Sequence, residues 1–277
     1  MPLYVTSLNS GSNGNCYYIG NEREAILIDA GISCREIEKR LKRLELSIKK
    51  VKSIFISHEH SDHIRGIEAL SKKYRIPVYI TMKTFQHARL KLEKELVIHF
   101  KSHETVSIGN LKITPFPKIH DACDPFSFII ESNAIKVGVF TDIGFPCKEV
   151  KKYFIQCNAA FLEANYEEAM LDSGDYPYHL KKRISGGKGH LSNRQAVDLF
   201  LEYKPDFMSH LFLSHLSENN NKPFLVQDLF DKHANGVQII VASRYEETAL
   251  YQINGSKSKG RSKMVLPPPQ QLSLIFN

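Results

Sequence analysis

The chain has few cysteines, no tryptophan and no long apolar run. Its five cysteines form an odd set without a Cys-x-x-Cys pair among the 277 residues. This argues against a disulfide framework and against a cysteine-ligated zinc finger, and it favours a reducing compartment. No apolar segment approaches the ~20 residues of a membrane-spanning helix, and the first residues lack the pattern of a secretory signal. We therefore expect a cytoplasmic protein with no membrane partner.

Acidic residues are missing from the end of the chain. After Glu247 no aspartate or glutamate follows, although four basic residues do: Lys257, Lys259, Arg261 and Lys263. Since the net charge is +7, the rest of the chain carries only about +3, which does not indicate a uniformly basic nucleic-acid binder. Hydrophobic residues make up 42% of the chain, enough for the core of a globular protein.

The order of the predicted elements indicates an α/β protein. Strands come first, and strand–helix alternation then follows in two halves without an internal linker. Helices are predicted over residues 35–42 (after the capping residue Ser33), 64–74, 85–96, 193–203 and 224–233. We expect one domain over residues 1–253, followed by a flexible basic linker and a terminal peptide over residues 254–277.

The strongest chemical signal is Ser57-His58-Glu59-His60-Ser61-Asp62-His63, which directly follows an apolar run predicted to be a strand. Three histidines and an aspartate on one loop can converge on cations. Imidazole and carboxylate bind zinc, manganese or iron, and the lack of thiolates argues against a structural zinc site.

This His-x-His-x-Asp-His pattern resembles the signature of the metallo-β-lactamase superfamily, and three later residues extend the match. A lone histidine, an aspartate and a late histidine each follow a strand-like run. The resemblance implies a four-layer αββα sandwich and two divalent metal ions. It implies that His58, His60 and His120 hold the first ion, that Asp62, His63 and His215 hold the second, and that Asp142 bridges them.

Such a two-metal site supplies a nucleophile at neutral pH and stabilises the attacking and leaving oxygens. We therefore expect metal-dependent hydrolysis, with Asp62 and Asp142 among the catalytic residues. Lactamase or glyoxalase chemistry ranks below phosphate-ester chemistry because, by the resemblance, Asp62 and His190 fit phosphate esters better.

Four further segments narrow the resemblance to the bacterial YycJ/WalJ group, over about residues 3–245. They are Ser7–Cys16, Leu27–Gly31, Leu162–Tyr166 and Gly189–Asn193. The resemblance implies a DNA exonuclease with a role in repair or replication. Two alternatives remain: a phosphodiesterase acting on small, cyclic phosphodiesters, and an adaptor that binds a repair or replication partner.

Other residues are expected to support the site. By the resemblance, His190 faces the scissile phosphate, where it either donates a proton to the leaving oxygen or stabilises charge on the phosphorane. Ser192 or Asn193 is expected to cap the helix that follows. Asp29 ends a predicted strand, and we expect it to support the ligand loop by hydrogen bonds. Cys123 is expected to be a small buried residue.

Two basic clusters allow two interpretations, a solvated face or contact with nucleic acid. The second cluster lies in a glycine-rich stretch, where a mobile basic loop entering the site would suit a polyanionic substrate. The clusters are Lys148, Lys151 and Lys152, and Lys181, Lys182 and Arg183.

The end of the chain resembles the short peptide by which bacterial repair proteins dock on the replicative sliding clamp. In that motif a glutamine anchors the start and apolar side chains fill a pocket; here these residues are Gln271, Leu272, Leu274 and Phe276. Tethering of this kind would raise the local concentration of a nuclease at DNA. The alternative is a last strand packed on the domain's own surface.

Overall fold

A computed structural model describes residues 2–255. The clamp-binding peptide and nearly all of the linker predicted from the sequence lie outside these residues. None of the helices within residues 2–255 is long and apolar enough to cross a membrane.

The described residues form fourteen strands. In chain order they are β1 (Leu3–Asn9), β2 (Cys16–Gly20), β3 (Ala25–Ile28), β4 (Val51–Phe55), β5 (Val78–Tyr79), β6 (Val97–Ile98), β7 (Val106–Ile108), β8 (Leu111–Pro117), β9 (Phe126–Ser132), β10 (Ile135–Phe140), β11 (Ala159–Glu163), β12 (His210–Ser214), β13 (Gln238–Val241) and β14 (Tyr251–Ile253).

Nine α-helices connect the strands within residues 2–255. They are α1 (Cys34–Arg43), α2 (Ser61–Ile64), α3 (Ile67–Tyr74), α4 (Met82–Ala88), α5 (Lys148–Phe154), α6 (Glu168–Ser173), α7 (Tyr178–Ser185), α8 (Asn193–Tyr203) and α9 (Pro223–Asp231). Short 3₁₀ helices lie at Ile48–Lys50 and Lys94–Leu96.

The strands make two seven-stranded mixed sheets. Their orders are β14-β1-β2-β3-β4-β5-β6 and β13-β12-β11-β10-β9-β8-β7. In the first sheet β3 to β6 run parallel, and in the second β10 to β13 run parallel. Because the carboxyl ends of parallel strands meet at one edge of a sheet, the loops that follow them are brought together.

Three apolar clusters show the layers. Side chains of both sheets meet in a central cluster, where the rings of Tyr17 and Phe161 lie 4.9 Å apart. The first sheet packs its other face against α1 and α3, and the second packs its other face against α5, α8 and α9. The arrangement is helix, sheet, sheet, helix, so the predicted αββα sandwich is confirmed.

Successive side chains of a strand point to opposite faces of the sheet, so one strand contributes to two apolar clusters. In β12, Leu211 and Leu213 face the helices while Phe212 faces the other sheet. All three side chains are fully buried, as expected for a parallel strand covered on both sides.

Capping residues in the sequence predict where helices start better than hydrophobic periodicity predicts where they end. The Ser33 hydroxyl accepts a hydrogen bond from the Glu36 N–H at the start of α1, and Ser192 forms a capping box with Gln195 at the start of α8. The helix expected over 85–96 is wrong in extent, because α4 begins after Thr81 and is followed by Arg89 in a left-handed conformation with φ 52°.

The basic cluster predicted to lie on a mobile loop is instead helical. Lys181, Lys182 and Arg183 belong to α7. The glycine-rich stretch begins only at the end of this helix, so the interpretation of the cluster as a loop is wrong. No residue of α7 is buried, so the helix lies on the protein surface.

Candidate metal centre

The predicted site residues meet at one edge of the two sheets. Each group follows a strand: Asp29 follows β3, His58 to His63 follow β4, His120 follows β8, Asp142 follows β10 and His215 follows β12. The loops of the first sheet therefore face those of the second across a cleft.

Three of these residues turn the chain sharply at a strand end. Asp29, Asp142 and His215 have φ values of 60°, 54° and 57°. A left-handed conformation costs a residue other than glycine roughly 1–3 kcal/mol and persists only where the surroundings impose it. Here it directs a polar side chain into the cleft immediately after a buried strand.

His58, His60 and His120 form the first cluster. The His58 Nε2 and His60 Nδ1 atoms lie 3.1 Å apart, and the His120 ring lies 5.0 Å from the His58 ring. His120 Nδ1 donates to the Gly189 carbonyl at 3.0 Å, which leaves Nε2 as an unprotonated acceptor. This buried Nε2 has no hydrogen-bond partner in the described part of the chain.

Asp62, His63 and His215 form the second cluster. The Asp62 Oδ2 atom lies 3.5 Å from His63 Nε2 and 3.6 Å from His215 Nε2. His215 Nε2 is likewise buried without a hydrogen-bond partner among residues 2–255.

Asp142 lies between the two clusters. Its Oδ2 atom is 3.2 Å from His63 Nε2 and its Oδ1 atom is 3.8 Å from His120 Nε2. Oδ1 is also 3.3 Å from His215 Nδ1, so the carboxylate lies close to histidines of both clusters. This position suits the bridging role that the resemblance implies for Asp142.

Hydrogen bonds on the far side of the rings direct Nε2 inward. Asp29 Oδ2 accepts from His63 Nδ1 at 2.7 Å and from the Ser57 hydroxyl at 2.7 Å. Since that hydroxyl is used as a donor, its 2.8 Å contact with His58 Nδ1 requires the ring to donate. Asp29 therefore fixes the orientation of two histidines, in the supporting position predicted for it.

Glu163 is the residue of the site that the sequence did not reveal. It ends β11, and its Oε1 atom accepts from Nδ1 of both His190 and His215, each at 2.8 Å. Its Oε2 atom accepts from the backbone N–H groups of Ile143 and Leu191. The available signal was an acidic residue at the end of an otherwise apolar strand, the same pattern that identified Asp29.

His190 lies at the rim of the metal site, with 20% of its side chain exposed. It lines a cavity of about 260 Å³ together with other polar residues, among them Asp62, Asp121, Asp142, Arg183 and His215. Because Glu163 engages Nδ1, the opposite side of the ring is available to a ligand in this cavity.

The loop between β1 and β2 joins the two halves of the site. The Asn15 Nδ2 atom donates to Asp62 Oδ2 at 3.2 Å, and the Ser10 hydroxyl accepts from the His215 N–H at 2.7 Å. Gly31 permits close packing here, since a Cβ atom built on it would lie 1.6 Å from the Asp62 carbonyl oxygen.

The pKa values show that the site attracts positive charge. Burial acts to raise the pKa of Asp142, but His215 and His63 outweigh it and hold this pKa well below its ordinary value. Burial likewise acts to raise the pKa of Glu163, yet the neighbouring histidines lower it to about 2. Both carboxylates are therefore ionised inside the protein.

The histidines respond to the same charges in different ways. Burial lowers the pKa of His120 to about 4, so its ring is neutral at neutral pH. Burial also acts to lower the pKa of His63, but the carboxylates of Asp142 and Asp62 hold it well above its ordinary value. Buried carboxylates, lone pairs without partners and inward-facing imidazoles fit divalent cations.

Groups of His, Asp and Glu donor atoms within 4.8 Å of one another include His58, His60 and His120, and Asp62, His63 and His215. The structure therefore brings the seven predicted ligands together. Cys123 differs from its prediction, since it is partly exposed and its thiol donates to Glu59 Oε2 at 3.1 Å. Gln271, Leu272, Leu274 and Phe276 lie outside the described residues.

Comparison with known proteins agrees with this geometry. The family described as "Beta-lactamase superfamily domain" matches residues 24–215. The chain is 34% identical to the exodeoxyribonuclease YycJ of Bacillus anthracis, over 80% of this chain and 85% of that protein. It is 30% identical to the exodeoxyribonuclease WalJ of Streptococcus pneumoniae strain D39, over 77% of this chain and 81% of that protein.

Two solved structures show the same fold. YhfI from Bacillus subtilis, described as a metallo-beta-lactamase fold protein, matches with a TM-score of 0.70 at 16% identity, over 91% of this chain and 100% of its own. Zinc-bound PqqB from Methylobacterium extorquens matches with a TM-score of 0.68 at 12% identity, over 88% of this chain and 99% of its own.

Proposed function

The chain belongs to the beta-lactamase superfamily and is a metal-dependent hydrolase, and we propose that it removes nucleotides from the end of a DNA strand, in repair or replication. The observation that carries this proposal is the pairing of His190 with Glu163 beside the donor clusters. The two exodeoxyribonucleases described above support the choice of DNA, because each is similar over most of its length.

In this proposal His58, His60 and His120 hold one divalent ion, and Asp62, His63 and His215 hold a second. The position of the Asp142 carboxylate, within 3.8 Å of histidines of both clusters, supports a shared ligand. When bound, the ions supply an activated water at neutral pH and neutralise charge on the phosphate. The nitrogen and oxygen ligands accept zinc, manganese or iron.

His190 protonates the leaving oxygen of the scissile phosphodiester in this proposal. Glu163 Oε1 accepts from Nδ1 at 2.8 Å, so it fixes the ring and stabilises the imidazolium form. The Nε2 side of the ring then carries the proton that is delivered. Glu163 also fixes His215 and the backbone of Ile143, so one carboxylate aligns the acid with the ligand set.

The cleft favours a strand end over the interior of a duplex. Its volume of about 260 Å³ lies near the lower limit of pockets for small ligands, about 300–1,000 Å³. In this proposal the cavity takes the terminal nucleotide of the strand. Arg183 also lines the cavity, where its guanidinium donates to Asp121 Oδ2 at 2.6 Å.

The test uses the same 20-nucleotide sequence as an end-labelled single strand, as a duplex and as a closed single-stranded circle, with Mn²⁺ or Zn²⁺. We expect mononucleotides from the linear strands and no cleavage of the circle. Cutting of the circle would contradict the exonuclease assignment. Hydrolysis of cyclic dinucleotides without hydrolysis of DNA would establish the small-molecule phosphodiesterase instead.

The terminal peptide remains a separate proposal, that residues 266–277 dock on the sliding clamp. A peptide of this sequence should bind the clamp with micromolar affinity, on the order of −8 kcal/mol. Replacing Leu274 and Phe276 by alanine in the whole chain should abolish clamp binding and leave hydrolysis of a short oligonucleotide unchanged. Calorimetry that detects no binding of the wild-type chain would refute the docking, and an adaptor role with it.

A further inference from the structure

A second groove lies beside the metal cleft, on the surface of the second sheet's helical layer. Its volume is about 490 Å³, and its lining includes Phe145, Lys148, Lys151, Lys152, Ile155 and Tyr203. The described residues that line it include three lysines and no aspartate or glutamate. The sequence alone left the three lysines of α5 open to interpretation as a solvated face.

The lysines of the groove are available to a ligand. The Lys151 and Lys152 ammonium groups lie 4.9 Å from the ring centres of Tyr203 and Tyr153. Glu149 is the acidic group beside them, and its contact with Lys152 is 3.3 Å long and exposed to solvent. Ion pairs of this kind contribute little, so they do not prevent binding of a polyanion.

Two apolar side chains of the groove are exposed. Phe145 is 52% exposed and Ile155 is 50% exposed. An exposed aromatic ring among lysines is a feature of single-strand binding sites, in which bases stack on aromatic rings and ammonium groups contact phosphates. A duplex keeps its bases stacked on one another and cannot use the rings in this way.

The groove is connected to the metal cleft by backbone contacts. Phe145 is three residues beyond Asp142, and the intervening Gly144 N–H donates to the Ile119 carbonyl, next to His120. A Cβ atom built on Gly144 would lie 2.5 Å from the Lys188 Cα atom. Lys188 in turn precedes Gly189 and His190, which line the cleft.

From this juxtaposition we propose that the groove binds the single-stranded DNA that extends from the metal cleft. The chain would pass Lys188, stack a base on Phe145 and place its phosphates against the lysines of α5. This inference rests on the proposed nuclease function and names the form of DNA and its path across the protein.

The experiment measures fluorescence anisotropy with labelled single strands of 12 and 3 nucleotides, in the slow His190→Ala background. The test variant replaces Lys148, Lys151 and Lys152 by glutamine. The matched control replaces Lys49, Lys50 and Lys52 by glutamine, since these lysines lie at the start of β4, at the opposite end of the strand from His58.

We expect the test variant to bind the 12-mer at least about tenfold more weakly. The slope of log binding constant against log salt concentration (the salt slope) should fall in magnitude by about 2. The 3-mer, held in the cleft, should bind as before. Phe145→Ala should weaken 12-mer binding by about tenfold without changing the salt slope. The control variant should match the parent.

Equal 12-mer binding by the test and control variants would overturn the proposal, as would an equal loss for the 3-mer and the 12-mer. A loss seen with RNA or duplex but not with single-stranded DNA would overturn the assignment of the ligand. If the protein binds the 12-mer through these lysines but the wild-type protein cleaves no DNA, the proposed binding groove is supported and the proposed nuclease function is refuted.

Discussion

At the scale of single residues, Asp142 has the most connections within the site. Its carboxylate lies within 3.8 Å of histidines of both clusters, and its backbone is left-handed. We expect Asp142→Asn to lower the metal content of the purified protein and to reduce turnover by more than ~100-fold. Asparagine has the same shape and tolerates this conformation, so the fold should persist.

Elemental analysis, circular dichroism and activity together check this expectation. Asp198→Asn is the matched control, since Asp198 is an exposed acid paired with Arg194. An Asp142→Asn protein with wild-type metal content and rate would refute the bridging assignment.

His190 and Glu163 are expected to act as a pair. His190→Ala should retain the bound metal yet lose ~100-fold or more in rate on DNA. An activated ester such as bis(p-nitrophenyl) phosphate should be affected less, because its leaving group needs no proton. Glu163→Gln should shift the pH–rate profile as well as lower the rate, since it removes the charge that stabilises the imidazolium.

Comparing the rate losses on native and activated substrates shows whether His190 donates a proton or only positions the phosphate. An equal loss on both substrates in His190→Ala would mean that His190 only positions the phosphate.

The residues that the sequence revealed are those that stand out locally. His58, His60, Asp62 and His63 share one short segment after one strand, so their spacing alone predicts a cation site. His120, Asp142 and His215 are isolated in the sequence, and only the family resemblance connected them. Glu163 received no role from the sequence because its partners His190 and His215 are 27 and 52 residues away. Its place at the end of an apolar strand was a local signal, but that signal does not identify these contacts.

At the scale of elements, α8 connects stability with the site. The Ser192 hydroxyl accepts from the Gln195 N–H at 3.1 Å and donates to Glu168 at 2.9 Å, two residues after His190. We expect Ser192→Ala to lower the free energy of unfolding by about 1 kcal/mol and to reduce turnover as well.

Ser33→Ala is the matched control, since Ser33 caps α1 in the same way but lies outside the cleft. It should lower stability by a similar amount without loss of activity. Denaturant titration and initial rates of both variants test this. If both variants keep full activity, the cap does not position His190.

Helices were predictable from the sequence where a capping residue or a regular spacing of apolar residues indicates them. Ser33 and Ser192 indicated two helix starts correctly. Hydrophobic periodicity alone predicted a helix that continues to residue 96. It gives no signal for the left-handed Arg89 that follows α4, so the predicted helix is too long. The sequence analysis also missed that Lys181, Lys182 and Arg183 belong to a helix, α7, none of whose residues is buried.

At the scale of the whole molecule, the metal site joins the two sheets. His58 to His63 belong to the first sheet, whereas His120, Asp142 and His215 belong to the second. A metal ion present at 1,000 times its dissociation constant stabilises the fold by about 4 kcal/mol. We therefore expect chelation with EDTA to lower Tm by about 10 °C.

Calorimetric scans with and without EDTA measure this shift. The Asp142→Asn protein is the control, because its shift should be much smaller. An equal shift in both proteins would show that EDTA acts elsewhere.

The strand order also has a consequence for synthesis of the protein. A chain emerging from the ribosome presents the loop after β4 long before His215, and β14 pairs with β1 only when residues 251–253 have appeared. Until His215 has emerged, no segment of the nascent chain holds the complete ligand set. The topology therefore delays assembly of the metal site until strands of both sheets have been synthesised.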